Sequence, residues 1–164
     1  MQVKELKPAK YNPRKITELQ LSVLNKSLIT FGDLSGVVCN RRTGNIVGGH
    51  QRIKCIPPDA IIEKNNLIEI SKTGTVAEGY IKFNDEKYTY REVDWDEIKE
   101  KAANLAANKH GGDFDDQLLT EALRELRESG FELELTGFNQ REVDKLLQFG
   151  GGLTDDDEIP EVPQ

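Results

Sequence analysis

Residues 44–54 read Gly44-Asn45-Ile46-Val47-Gly48-Gly49-His50-Gln51-Arg52-Ile53-Lys54. This pattern predicts a short strand, a tight turn at the paired glycines, and a helix that begins at His50 and carries basic residues. Glycine lets a backbone approach an anion closely, and the first amides of a helix lack intrahelical acceptors. Arg52 and Lys54 add full positive charges. The stretch therefore predicts a phosphate site, and a turn that merely connects strand to helix is the alternative.

The composition predicts one folded core in a cytoplasmic protein. The chain has 164 residues, 31% of them charged, and a mean hydropathy of -0.58. It has no apolar run near the roughly 20 residues that a membrane span needs, and its first residues lack the apolar core of a secretory signal. Cys39 and Cys55 have no metal-ligand spacing, so we expect buried, reduced thiols and no metal site.

Charge is divided unevenly along the chain. Residues 1–56 hold ten Lys and Arg against three Asp and Glu, a net charge of +7. Since the whole chain has a net charge of -7, the remaining residues carry -14. A basic half suits phosphate groups, whereas an acidic half repels DNA. We therefore expect DNA contacts on the N-terminal face, with Lys15, Arg41, Arg42 and Lys54 as candidates. Ordinary solvated surface charge is the alternative.

Capping signals and periodicity predict the elements of the first half. Thr17 and Gln20 form a capping box for a helix over residues 18–30, with Leu21, Leu24 and Leu28 as its buried stripe. A hairpin pairs residues 37–40 with residues 45–47. The helix that begins at His50 is short, because Pro57-Pro58 cannot continue it.

The second half is predicted to contain strands and then helices. Asp94 with Glu97, and Asn139 with Glu142, are read as helix caps. The predicted strands are residues 68–70, 80–83, 88–90 and 131–135, with a hairpin turn at Asn84-Asp85. Three helices are predicted: one that ends near residue 108, one over residues 116–129, and one that begins after Asn139. The acidic, proline-bearing segment 151–164 is predicted to be a flexible tail or linker.

Several short motifs occur in an order typical of one family. They are Leu6-Lys7-Pro8, Asn12-Pro13-Arg14, the helix that ends at Phe31-Gly32, Val37 to Asn40, Gly48 to Arg52, Asn108 to Gly112, and Thr136-Gly137-Phe138. Together they resemble the ParB/sulfiredoxin-type domain over residues 1 to 150. The similarity is greatest to ParB-like domains of phages and mobile elements that are associated with DNA methyltransferases.

The resemblance implies an α+β fold with a small mixed sheet, flanking helices and a C-terminal helical extension. The implied division is a ParB/sulfiredoxin-like domain at 1–112, a helical extension at 113–150 and an acidic tail at 151–164. It also implies a phosphate or nucleotide site, which would take CTP or ATP. The implied site residues are Gly48, Gly49, His50, Gln51, Arg52, Asn108 and Arg14.

The chain departs from the family's catalytic members. Sulfiredoxins have a catalytic Cys where this chain has His50, which argues against a reductase. ParB CTPases read Gly-Glu-Arg-Arg at the turn, but here the residues are Gly49-His50-Gln51-Arg52, and a second acidic position before Asn108 is also lost. Carboxylates are the ligands that Mg²⁺ prefers, so bound Mg²⁺ is doubtful. His50 and His110 are expected to form hydrogen bonds rather than to act as acid and base.

A helix-turn-helix is disfavoured by the sequence, because residues 131–135 look like a strand where a short turn is expected. The leading hypothesis is a nucleotide- or DNA-phosphate-binding module, the N-terminal or companion domain of a methyltransferase. An NTP hydrolase or phosphotransferase, and a protein-interaction adaptor whose acidic half binds a basic partner, are the alternatives. Whether the chain is an enzyme, and whether it forms a homodimer, stay open.

Overall fold

The computed structural model describes residues 1–109 and 114–148. Its helices and strands follow one another in the order α1 (Glu18–Phe31), β1 (Val37–Asn40), β2 (Ile46–Gly48), α2 (His50–Lys54), β3 (Ile62–Asn66), β4 (Thr75–Phe83), β5 (Glu86–Val93), α3 (Glu97–Asn108), α4 (Asp116–Glu128) and α5 (Gln140–Gln148). Short 3-10 turns cover Val3–Glu5 and Leu133–Thr136. The predicted α+β class is confirmed.

The five strands form one mixed sheet in the order β2-β1-β5-β4-β3. Strands β1 and β5 are parallel, and every other neighbouring pair is antiparallel. The β1–β2 hairpin is confirmed, as is the tight turn at Asn84 and Asp85, where both residues have positive φ. The parallel pairing brings the end of β5, and thus the start of α3, beside the β1–β2 turn.

The structure has two hydrophobic cores, so the expectation of one core was wrong. The first core lies between the sheet, the N-terminal segment and helices α1 and α2; it contains Val3, Leu6, Leu28, Val37, Cys39, Ile46, Ile56, Ile62, Ile81, Tyr88 and Tyr90. The second core joins α3, α4 and α5; it contains Ala102, Leu105, Leu119, Ala122, Leu123, Leu126, Phe138, Val143 and Leu146. Helix α3 contacts both the sheet and the second core, so it links the two halves of the protein.

The predicted capping box of α1 is confirmed. The Gln20 amide donates to Thr17 Oγ1, and the Thr17 amide donates to Gln20 Oε1. The same reciprocal pair joins Asn139 and Glu142 at the start of α5. By contrast, the predicted cap of α3 at Asp94 was wrong, since Asp96 accepts from the Lys99 amide instead.

Three other predictions were wrong. Residues 68–70 form no strand, because the chain leaves the sheet after β3 and Ile68 is fully exposed. Residues 131–135 are not a strand, since Leu133–Thr136 forms a 3-10 turn that joins α4 to α5. In α1 only Leu28 of the expected stripe is fully buried, whereas Leu21 and Leu24 are half-buried, and Leu24 packs against the first core.

Candidate functional site

The predicted phosphate residues meet at one cavity of about 240 Å³. It lies where β2 ends and α2 begins, with α1 on one side and the end of α3 on another. All seven predicted residues line it, together with five others that the sequence did not single out. The full lining is Arg14, Leu24, Ser35, Gly36, Val38, Gly48, Gly49, His50, Gln51, Arg52, Ala107 and Asn108.

Gly49 is required by the local backbone. Its φ of 92° lies in the left-handed region that favours glycine. A Cβ there would lie 3.0 Å from the Gly36 carbonyl oxygen and 3.0 Å from Val37 Cγ2. Gly48 differs, because the nearest atom to a Cβ there is Ala107 Cβ at 4.0 Å. Gly49 therefore shapes the turn, whereas Gly48 leaves space beside it.

The two arginines of the cavity have no carboxylate partner among the described residues. Arg14 and Arg52 are half-buried, and the Nε atom of each is buried without a hydrogen-bond acceptor. Burial, followed by the positive charge of Arg52, lowers the pKa of Arg14. Two guanidinium groups that repel each other in a shared cavity are stabilised by an anion between them.

Backbone donors add to this positive environment. The cap residue Gly49 supplies no side-chain acceptor to α2. Within residues 1–109 and 114–148, no atom accepts a hydrogen bond from the amides of His50, Gln51 or Arg52. The side-chain oxygen Oε1 of Gln51 is also buried without a partner. The cavity thus combines unsatisfied main-chain donors with two cations.

His50 also forms a hydrogen bond with the N-terminal segment. Its Nε2 atom accepts a hydrogen bond from the Ala9 amide at 3.2 Å. Burial, with a smaller contribution from Lys54, lowers the pKa of His50 to about 4. The ring is therefore neutral near pH 7, which agrees with the expected hydrogen-bonding role and gives no proton for acid catalysis.

Asn108 is fixed by the helix that carries it. Its Nδ2 atom donates to the Asn104 carbonyl at 2.7 Å and lies 3.4 Å from Asn12 Oδ1. Asn104 in turn donates to the Val47 carbonyl at 2.9 Å. These bonds hold the end of α3 against β2 and the N-terminal segment, so the three segments that line the cavity are joined.

Glu100 of α3 is a buried carboxylate that accepts several hydrogen bonds. Only 1% of it is exposed, and its carboxylate accepts from Tyr11, Asn40, Thr43 at 2.6 Å and Asn45 at 2.9 Å. Burial by itself raises the pKa of Glu100, but these hydrogen bonds outweigh it and the pKa lies below its usual range. Glu100 was not predicted from the sequence, because a single Glu in an amphipathic helix carries no signal that it is buried.

Asp33 fixes the loop that contributes Ser35 and Gly36 to the lining of the cavity. Its carboxylate accepts from the amides of Ser35 and Gly36 at 3.2 and 2.7 Å, and from the amide and hydroxyl of Thr89 at 2.8 and 2.6 Å. These bonds fix the loop between α1 and β1. The Asp33-Leu34-Ser35-Gly36 turn is a signal that could have predicted Ser35 and Gly36 as lining residues.

The cavity offers little to a metal ion. None of the lining residues is acidic. Within the described parts of the chain, no three His, Cys, Asp or Glu side chains are grouped to hold a metal. The donors present favour an anion instead, as the charge of the two arginines indicates.

The predicted DNA-contacting residues lie on three segments of the chain. Arg41 pairs with Glu92 at 2.8 Å, Arg42 with Asp94 at 2.7 Å and Lys15 with Asp115 at 3.0 Å. Lys54 is exposed at the end of α2. Three of the four are therefore already neutralised by carboxylates. His110 lies outside the described residues.

None of the helices in the described ranges has the length and apolarity needed to cross a membrane. No curated protein matches the chain.

Residues 117–164 match the family model described as the ParB-methyltransferase HTH domain. The expectation against a helix-turn-helix was therefore wrong. Its basis was the strand assigned to residues 131–135, and the 3-10 turn found there connects α4 to α5 instead. The match agrees with the resemblance to ParB-like domains associated with methyltransferases.

Proposed function

We propose that this protein is a ParB-like module that binds phosphate groups in the cavity between β2, α2 and α3. The phosphate belongs to a nucleoside triphosphate such as CTP or ATP, or to DNA. The module acts as the N-terminal or companion part of a DNA methyltransferase, as in phages and mobile elements. The observation that carries the proposal is the pair Arg14 and Arg52, which line the cavity without a carboxylate partner among the described residues.

The size of the cavity supports a phosphate ligand. Pockets that enclose a whole small molecule usually measure about 300 to 1,000 Å³, whereas this one measures about 240 Å³. A phosphate chain fits that volume, and an attached nucleoside would extend outside it. An anion in this position would accept from the α2 amides and from both guanidinium groups, which are charge-assisted hydrogen bonds.

The HTH match supports DNA as the wider target. The described part of that match, residues 117–148, holds seven Asp and Glu against four Lys and Arg. DNA binding is dominated by contacts of cations with phosphates. The basic N-terminal half is therefore the part that contributes attraction, and the methyltransferase link suggested by the family description supplies a context for it.

Thermal denaturation with CTP, ATP, GTP, inorganic tripolyphosphate and duplex DNA, at low and high salt, tests the proposal. A ligand at 100 times its Kd stabilises the folded state by about 2.7 kcal/mol, so a specific anion raises Tm measurably. The Arg52→Ala variant is expected to lose this shift. The matched control is Lys54→Ala, which removes a cation from the same helix outside the cavity lining and keeps the shift that nucleotides and tripolyphosphate produce.

The outcomes separate three cases. A salt-resistant shift with one nucleotide supports a nucleotide site, and a shift with all polyanions that disappears at high salt supports DNA phosphate contacts. Release of inorganic phosphate that Arg52→Ala abolishes would assign the hydrolase alternative. Equal shifts in wild-type protein and Arg52→Ala would contradict the proposed site.

A further inference from the structure

A second cavity lies in the connection between α4 and α5, far from the anion cavity in sequence. It is a groove of about 530 Å³. Its lining consists of Arg127, Gly130, Phe131, Glu132, Leu133, Glu134 and Gln140. This groove belongs to the unit that matches the HTH family model, so its chemistry bears on what that unit binds.

The floor of the groove is apolar. Phe131 and Leu133 are half-buried and pack against the second core. Leu135, two residues further along the same 3-10 turn, is 61% exposed. It is not part of the groove lining, whose apolar surface comes from Phe131 and Leu133 and offers a place for an apolar side chain of another molecule.

The rim of the groove is acidic. Glu132 and Glu134 are exposed, and neither has an ion-pair partner among the described residues. The one cation of the lining, Arg127, lies 3.3 Å from Asp144 and is therefore neutralised. Residues 114–148 as a whole carry a net charge of -5, from four Lys and Arg against nine Asp and Glu.

A DNA duplex is a poor occupant for such a groove. Its phosphates would face Glu132 and Glu134, and protein surfaces that bind duplexes carry clustered Lys and Arg. A protein segment that combines apolar anchors with Lys or Arg meets both features at once. Electrostatic complementarity of this kind accelerates association and makes it sensitive to salt.

We propose that the groove formed by residues 127–134 and Gln140 is a docking surface for a basic protein segment with apolar anchor residues. The apolar anchors lie against Phe131 and Leu133, and the basic residues pair with Glu132 and Glu134. The groove then connects the module to a protein partner, while the phosphate cavity is formed by other residues. The two functions use separate residues, so either can fail without the other.

Fluorescence anisotropy with three labelled probes tests this surface on the full chain. The probes are a peptide of alternating leucine and lysine, a serine and lysine peptide of equal charge, and a short DNA duplex. We expect the leucine and lysine peptide to bind at least about tenfold more tightly than the serine and lysine peptide, a difference of about 1.4 kcal/mol. Higher salt should weaken binding of both peptides.

Charge-reversal variants locate the contact. Glu132→Lys with Glu134→Lys is expected to weaken peptide binding at least about tenfold. The matched control is Glu69→Lys with Glu121→Lys, which makes the same change in net charge at two exposed positions outside the groove. Circular dichroism verifies that each variant is folded.

Three results would overturn the proposal. One is equal loss in the groove variant and in the control, which would show only general attraction to an acidic protein. Another is tight duplex binding that Glu132→Lys with Glu134→Lys weakens, which would assign the groove to DNA. The third is self-association that blocks the peptide, measured by sedimentation, which would assign the groove to a second copy of the chain.

Discussion

His50 Nε2 and the Ala9 amide are joined by a buried hydrogen bond of 3.2 Å. The bond ties the first residue of α2 to the N-terminal segment that also carries Arg14. The bond is therefore one of the contacts that set the relative position of the two lining arginines.

Stability is expected to fall when His50 takes up a proton. Because its pKa in the folded state is about 4 against an ordinary value of 6.5, the unfolded chain binds the proton more readily. The contribution is fully present above pH 6.5 and is lost as the pH falls toward 4, by up to about 3 kcal/mol. Urea unfolding between pH 7.5 and pH 4 measures it.

The control for this prediction is His50→Gln, whose amide oxygen can still accept from Ala9 but does not titrate. Glu100 and Glu92 also have lowered pKa values in the folded state, so they lose stabilising effect as the pH falls through those values. The His50→Gln variant removes only the contribution of His50 to the pH dependence of the free energy of unfolding. An unchanged slope between pH 6.5 and 4 would contradict the assignment.

Glu100→Gln is expected to destabilise the protein by about 2 kcal/mol or more. The amide cannot accept all four hydrogen bonds that the carboxylate accepts, and buried donors without acceptors are costly. Glu97→Gln is the matched control, because Glu97 is exposed on the same helix. Chemical denaturation of both variants provides the comparison, and similar midpoints would disprove a central role of Glu100.

The two paired glycines are expected to respond differently to alanine. Gly49→Ala should cost about 2 kcal/mol, because a non-glycine residue in the left-handed region is strained and its Cβ would crowd Gly36 and Val37. Gly48→Ala should unfold at nearly the wild-type Tm, since only Ala107 approaches its Cβ. Its Cβ enters the cavity, so we expect weaker binding of tripolyphosphate. Equal stability of the two variants would be inconsistent with this assignment.

Lys109 is expected to hold α5 against α3. Its Nζ atom lies 2.8 Å from Glu142 Oε1 and 3.7 Å from the centre of the Phe138 ring. Lys109→Met keeps the apolar stem but removes both interactions, so it should cost about 1 kcal/mol. Hydrogen exchange should increase in α5 more than elsewhere.

Lys99→Met is the control for that experiment. Lys99 lies on the same helix, and its ammonium group is 5.3 Å from the Trp95 ring, but it is exposed. We expect a smaller loss of stability and unchanged exchange in α5. If both variants behave alike, Lys109 has no special role in attaching α5.

Local signals in the sequence were sufficient for much of the fold. Thr17 and Gln20 predicted α1, and Asn84-Asp85 predicted the β4–β5 hairpin, because capping and turn chemistry act over a few residues. Residues 131–135 failed for the opposite reason. Alternating Phe, Leu and Glu suits a strand, but packing of Phe131 and Leu133 on the second core favours a 3-10 turn.

The sequence by itself determined the glycine turn, the basic residues beside it and the uneven charge of the two halves, because these depend on neighbouring residues and on composition. Only the tertiary structure decided that Arg14, Arg52 and Asn108 line one cavity, that Glu100 is buried behind it, and that Arg41 and Arg42 are already paired. The physical reason is that burial and ion pairing depend on contacts between residues distant in the chain. Patterns among neighbouring residues do not predict those contacts.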